Sequence, residues 1–317
     1  MKTAFFTLIT SYLIAVPLDV SVDLLFFRAE QSGTENLAQV LEPNGSNLDI
    51  KIVDLNFPFD LGYRVGAGYR FCYDNWDTQI HYTKFEQNGK TSAATTGQIT
   101  SSFLGNFHVE NADGAKLAGA TYKKAEISWN LDYKIIDVEL GKNLILSDAF
   151  EIRPFASLIG GWIDQSIDST WQTPLLPFTF SEATESILND FYGLGPALGA
   201  NTVWNLKNCN NSAFSLFGDL SCGLLWGRWN LDDVYRNDKA TYIKIKQNTI
   251  YAIGSMIKGF TGFGWSKTFA NDAKITLRLG YEAQVWFNQL QFYSLNVGRL
   301  CNELTLQGGT FSCHLQF

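Results

Sequence analysis

A chain of 317 residues is long for one soluble domain but ordinary for one closed barrel, and no Pro/Gly/Ser-rich linker divides it. Charged residues make up only 17%, against roughly 25% in a typical soluble domain, while aromatics reach 15% through 24 Phe, 13 Tyr and 9 Trp, a balance that suits a lipid-facing surface. A net charge of -7 without any basic run excludes a nucleic-acid partner, because binding phosphate needs a positive face.

The N-terminal "MKTAFFTLITSYLIAVP" carries one Lys and then a mostly apolar run ending at Pro17. It is too short for a spanning helix and fits the apolar region of a secretory signal. Residues 1–17 are therefore expected to be a signal peptide, and 18–317 a single β-barrel domain. No small-residue cleavage site marks the boundary, and an apolar first strand is the alternative reading. No later window offers eighteen uninterrupted apolar residues, so a membrane protein of this sequence must cross as a closed barrel.

The first strand is expected over Leu18 to Arg28. The second, "FDLGYRVGAGYRF" (59–71), alternates apolar Phe59, Leu61, Tyr63, Val65, Ala67, Tyr69 and Phe71 with small or charged residues. That alternation is the signature of a strand whose two faces meet different environments. Its length exceeds the roughly 9 to 11 residues that a tilted strand needs to cross a bilayer. Trp76 to Gln87 follows, and then "AEISWNLDY", with Ile127, Trp129, Leu131 and Tyr133 apolar and Glu126 and Asp132 among the polar set. Beyond Tyr133 the parity changes to Ile136, Val138 and Leu140, which reads as a β-bulge or a tight bend. Further strands are expected over Phe150 to Gln165, Phe191 to Leu206, Ala213 to Trp229, Asn248 to Trp265, 273–287 and Leu304 to Phe317. The connections alternate short (73–75, 146–149, 207–212, 270–273) with long (30–57, 88–119, 166–190, 230–247, 290–303). This predicts an all-β fold: a transmembrane antiparallel up-and-down β-barrel of about ten strands, within a range of eight to twelve, with short periplasmic turns and long extracellular loops.

The chain ends in "GGTFSCHLQF", where Phe311, Cys313, Leu315 and Phe317 form an apolar stripe resembling the C-terminal signal read by the barrel-assembly machinery. "LGYRVGAGYRFCYDNWDTQIHYTKF", "LDYKIIDVELGKNLILSDAFEIRPFASLIGGWIDQ", "YGLGPALGANTVWNL" and "LRLGYEAQVWFNQL" together resemble the Legionella-type, chlamydial-MOMP-like family of pore-forming outer-membrane proteins. The resemblance covers nearly all of the chain after residue 17, and "RPFASLIGGWIDQ" is its most specific piece. It implies location in the bacterial cell outer membrane and a porin-like function, without a catalytic motif to check.

With the apolar faces outward, the inward set is Arg64, Arg70, Glu126, Asp132, Asp137, Glu139, Glu151, Arg153, Asp219, Lys274, Arg278 and Glu282, the candidate pore-lining residues. Opposed charges of both signs would set a transverse field across a narrow lumen and select solutes by charge and hydration. The alternative is that they pair and plug the barrel, leaving a structural or adhesive protein that works through its surface loops. The polar loop 88–120 is read as a surface loop, with a constriction folded into the mouth as the alternative. Cys72, Cys209, Cys222, Cys301 and Cys313 are widely spaced, which argues against metal binding and leaves cross-linking between chains and homo-oligomerisation open. No cofactor is expected. Of the three histidines, His314 falls near the periplasmic end and His108 in a loop, which leaves His81, with inward parity, as the candidate for a barrel hydrolase, the less expected reading because no partner motif accompanies it.

Overall fold

Alternation with a period of two leads directly to strand. The computed structural model describes residues 18–32, 37–101, 121–173, 180–209, 211–239, 242–246, 249–271, 273–294 and 298–317. The expected signal peptide lies outside them. Ten long strands build the barrel: β1 (Leu18–Gln31), β4 (Asp60–Arg70), β5 (Trp76–Ser101), β6 (Thr121–Lys142), β8 (Phe150–Gln172), β9 (Glu182–Cys209), β10 (Ser212–Asn237), β12 (Ile250–Thr268), β13 (Lys274–Ser294) and β14 (Gly298–Gln316). Four shorter strands are added to it: β2 (Ala38–Asn44), β3 (Asn47–Val53), β7 (Leu144–Ser147) and β11 (Tyr242–Lys246). Neighbouring strands are antiparallel throughout, and β1 closes the ring by pairing with both β4 and β14. The Phe317 N–H donates to the Leu18 carbonyl at 3.1 Å, so both ends of the barrel domain meet on the short-turn, periplasmic rim.

The long connections are shorter than expected. β5 continues through Ser101, β8 through Gln172 and β10 through Asn237, while β9 begins at Glu182. Much of the predicted extracellular loop structure is thus barrel wall standing above the membrane; of the loop read over 88–120, residues 102–120 lie outside the described set.

β6 shows why. Its odd-numbered residues face inward from Ala125 to Gly141, and it pairs with β8 without a break from Lys124 to Gly141. There is no bulge after Tyr133. What changes there is the surroundings. Below that level the outward residues are Ile136, Val138 and Leu140 and the inward ones Asp137 and Glu139; above it the outward residues are Asn130, Asp132 and Lys134 and the inward ones Ile127, Trp129, Leu131 and Tyr133. The strand has left lipid for water, and the core has changed from polar to apolar at the same height. Neighbouring strands repeat the switch: outside, β8 passes from Leu158 and Trp162 to Asp164 and Asp168, β5 from Ile80 and Tyr82 to Lys84 and Glu86, and β9 from Tyr192 to Asp190. Trp162, Tyr192, Arg228 and Tyr251 lie in one row of paired residues at this boundary, as an interfacial aromatic belt requires.

This boundary is testable on one strand. Val138→Arg, in the lipid band, should cost ~2–4 kcal/mol of stability, whereas Ser128→Arg, outward but above the membrane, should stay within about 0.5 kcal/mol. Urea titration of the protein folded into vesicles measures both.

Candidate functional site

Between the periplasmic rim and Tyr133 lies a cavity of about 830 Å³, lined by charges of both signs. Ten of the predicted inward residues line it: Arg64, Arg70, Asp137, Glu139, Glu151, Arg153, Asp219, Lys274, Arg278 and Glu282. Glu126 and Asp132 do not. They lie on the outer face of β6, above the lipid, paired with Lys124 and Lys134, because their polarity answers to water outside the barrel and not to a lumen.

Two arginines organise the charges. Arg64 on β4 donates to both carboxylate oxygens of Glu282 on β13 at 2.7 and 3.1 Å, to Asp23 of β1 at 3.1 Å, and to the Thr83 hydroxyl at 3.0 Å. This tie spans strands that are not neighbours, and all three charged groups are buried. Lower down, Arg153 on β8 holds Asp77 at 2.5 Å and Glu139 at 2.6 Å and also donates to Asn201. Gly141 leaves the space its guanidinium occupies: a Cβ there would overlap Arg153 atoms at 2.5 Å. Planar guanidinium groups suit such forked recognition of carboxylates. Arg278 lies over the Phe217 ring at 4.2 Å, with its nearest carboxylate, Asp219, at 3.7 Å; Lys258 is also 3.7 Å from Glu282. Sequence reasoning missed Asp23, Asp77 and Lys258, although each has the inward parity of its strand.

Above the vestibule the barrel is filled. Trp129, Phe85, Ile163, Phe191, Leu225, Trp229, Trp286 and Leu304 are buried in one continuous apolar core. Tyr133 of β6 and Trp286 of β13, on opposite walls, meet edge to face with ring centroids 5.9 Å apart, and the Tyr133 hydroxyl donates to Gln284 at 2.8 Å. Asn189 on β9 likewise bridges to β13, donating to the Gln289 carbonyl at 2.8 Å. Phe57, from the segment leading into β4, packs on Trp129 at 5.1 Å, and Leu37, Leu55 and Phe180 join the same core near the mouth.

The remaining predicted residues are also placed. His81 sits beside the cavity with Nε2 3.2 Å from the Gln79 amide oxygen. Phe311, Leu315 and Phe317 are exposed on the lipid face of the last strand, with Cys313 partly so. Cys72, Cys222, Cys301 and Cys313 are free thiols, and the side chain of Cys209 is not described.

A closed antiparallel barrel with an outward apolar band, an aromatic belt at its upper boundary and both ends on its short-turn rim is an integral outer-membrane β-barrel. The chain belongs to the family described as Legionella pneumophila major outer membrane protein precursor, whose model matches residues 15–317, and it is a protein of the bacterial cell outer membrane. No curated protein matches it. Among solved structures it is similar to the outer membrane protease OmpT from Escherichia coli (9% identity, 95% of this chain and 96% of that one, TM-score 0.45) and to the Pseudomonas putida toluene transporter TodX (8%, 95% and 89%, TM-score 0.27). These likenesses are too distant to transfer anything from those proteins.

Proposed function

We propose that the protein is a closed outer-membrane barrel that carries a rigid β-structure above the membrane and acts through that surface. One observation carries this reading: the apolar core joins opposite walls in the extracellular half, with Tyr133 and Trp286 in direct contact across it. The core at this level is mostly apolar, with the buried amides of Gln87, Gln165, Asn189 and Gln289 set among its aromatic and aliphatic side chains, and on this reading it is the barrier that solutes entering the vestibule from the periplasm meet. The vestibule charges act as internal ties, the role of Arg64 and Arg153.

A narrow gated channel is the second reading, favoured by a charged cavity that already reaches the periplasmic rim. Passage would then require the core to shift. A hydrolase is the third reading: His81 bonds the Gln79 amide, which cannot serve as an orienting carboxylate, whereas His314 lines the same cavity 3.9 Å from Asp23. The exposed stripe ending at Phe317 is read as the contact for the assembly machinery.

Planar-bilayer recording separates the first two readings. Purified wild-type barrel, shown to be folded by heat-modifiable migration, should give no discrete current steps. Steps would establish the channel, and Arg64 or Arg278 substitutions that shifted its ion preference would then place those residues on the ion path.

A further inference from the structure

One cross-strand row in the periplasmic half of the lumen carries chemistry that the arginine ties do not use. It runs His314 (β14), Ser21 (β1), Gly66 (β4) and His81 (β5), each directly opposite the next, and all four line the cavity. Gly66 lets the residues on either side of it meet. A Cβ there would lie 2.4 Å from Ser21 Oγ and 2.5 Å from His81 Nδ1, so the hydroxyl and the ring nitrogen face each other over the space that a larger residue would fill. His81 Nδ1 is shielded from solvent and has no hydrogen-bond partner. A buried ring nitrogen left unpaired is costly, and the hydroxyl beside it is the group that can use its lone pair.

The rest of the imidazole is set for that use. Gln79, on the same face of β5, has its amide oxygen 3.2 Å from His81 Nε2. Accepting the Nε2–H there leaves Nδ1 as the acceptor, the tautomer that a base for Ser21 needs, and an amide orients the ring in the same way in the Cys-His-Asn arrangement. Ser21 and His81 are not yet bonded, and catalytic hydrogen bonds often tighten only with substrate. His314 Nε2 stands 3.9 Å from Asp23 Oδ1, too far for a hydrogen bond, so its N–H is open to the carbonyl oxygen of a substrate held at Ser21. Backbone N–H groups build no oxyanion hole here, because β1, β4 and β14 commit theirs to the sheet ladders. Such sparse support favours an ester over an amide, whose carbonyl is less reactive and whose leaving group is worse.

We propose that Ser21 is the nucleophile, His81 its base and Gln79 the residue that orients that base, in a periplasm-facing site that opens small, polar carboxylic esters. The cavity of about 830 Å³ sets the size of the substrate, and its charges of both signs set the polarity. Ser21 Oγ attacks the carbonyl carbon as its proton passes to His81 Nδ1; the C–O bond to the alcohol breaks and the alcohol takes that proton. Water, deprotonated by the same nitrogen, then attacks the acyl-serine, releasing the acid and restoring Ser21. This activity is separate from the surface role, gives the hydrolase reading its nucleophile, and does not depend on whether the core above conducts.

A fluorophosphonate tests the site on the full chain folded in detergent, because Ser21 Oγ would displace its fluoride and keep the phosphonyl group. Mass spectrometry of the digested wild type should find the label on Ser21, and boiled protein should take none. Ser21→Ala should abolish labelling. His81→Gln should slow it by ~100-fold or more, the usual contribution of a general base. Gln79→Ala should also slow it, and Gln79→Glu, which keeps an acceptor for the Nε2–H, should restore the rate. Hydrolysis of p-nitrophenyl acetate should follow the same order. Heat-modifiable migration checks that each variant is a closed barrel. An unlabelled folded wild type, or labelling that keeps its full rate in His81→Gln, would overturn the inference; a label on another serine would overturn Ser21 while leaving a hydrolase in place.

Discussion

Arg64→Ala is expected to lower the stability of the folded barrel by ~3–5 kcal/mol, the usual cost of removing one partner from a buried ion cluster. The substitution leaves Glu282, 1% exposed, and Asp23, 6% exposed, facing each other without the guanidinium that separates them. Two carboxylates so placed repel and have lost their hydration. Lys258, at 3.7 Å from Glu282, compensates only in part. The expected readout is a lower temperature for conversion of the compact gel band to the unfolded one, with a matching shift in the urea midpoint. Neutralising all three groups together (Arg64→Met, Asp23→Asn, Glu282→Gln) should recover much of the loss, because both buried carboxylates are then neutral and the charge left without its partner, Lys258, is part-exposed. Equal stability of Arg64→Ala and wild type would mean that the tie is not a structural one.

Trp286→Ala should have an effect of similar size and a different consequence. Replacing a fully buried Trp by Ala typically costs ~3–5 kcal/mol through lost contacts and the space left behind. Here that space opens between Tyr133 and the opposite wall, beside Gly161, whose missing Cβ would lie 3.8 Å from the Trp286 ring. If the core is the barrier, the Trp286→Ala, Tyr133→Ala double variant should pass current in planar bilayers where the wild type does not. Continued silence from a folded double variant would place the barrier elsewhere.

Ring closure, strand count and the periplasmic turns were legible in the sequence because lipid imposes a simple rule of apolar outside and polar inside. The rule failed above the membrane. "AEISWNLDY" has the same alternation as the lipid-crossing strands, but its apolar face looks inward, and alternation alone does not say which face meets water. The parity change after Tyr133 held the missing information. A bulge and a change of surroundings leave the same trace in sequence, and only the unbroken register with β8 tells them apart. Most of the vestibule residues were found because they lie below that level, whereas Glu126 and Asp132 lie above it. The partners of the two arginines were harder to read, since Asp23 and Asp77 come from strands distant in sequence from Arg64 and Arg153.

The inverted upper wall also bears on how the barrel reaches the membrane. During insertion, Lys84, Glu86, Asp132, Lys134, Asp164 and Asp168 must pass from the periplasm through the hydrocarbon layer before they meet water on the far side. Spontaneous refolding into bilayers is therefore expected to be slow and to slow further as acyl chains lengthen, a kinetic obstacle that a catalyst able to thin or breach the lipid locally would remove.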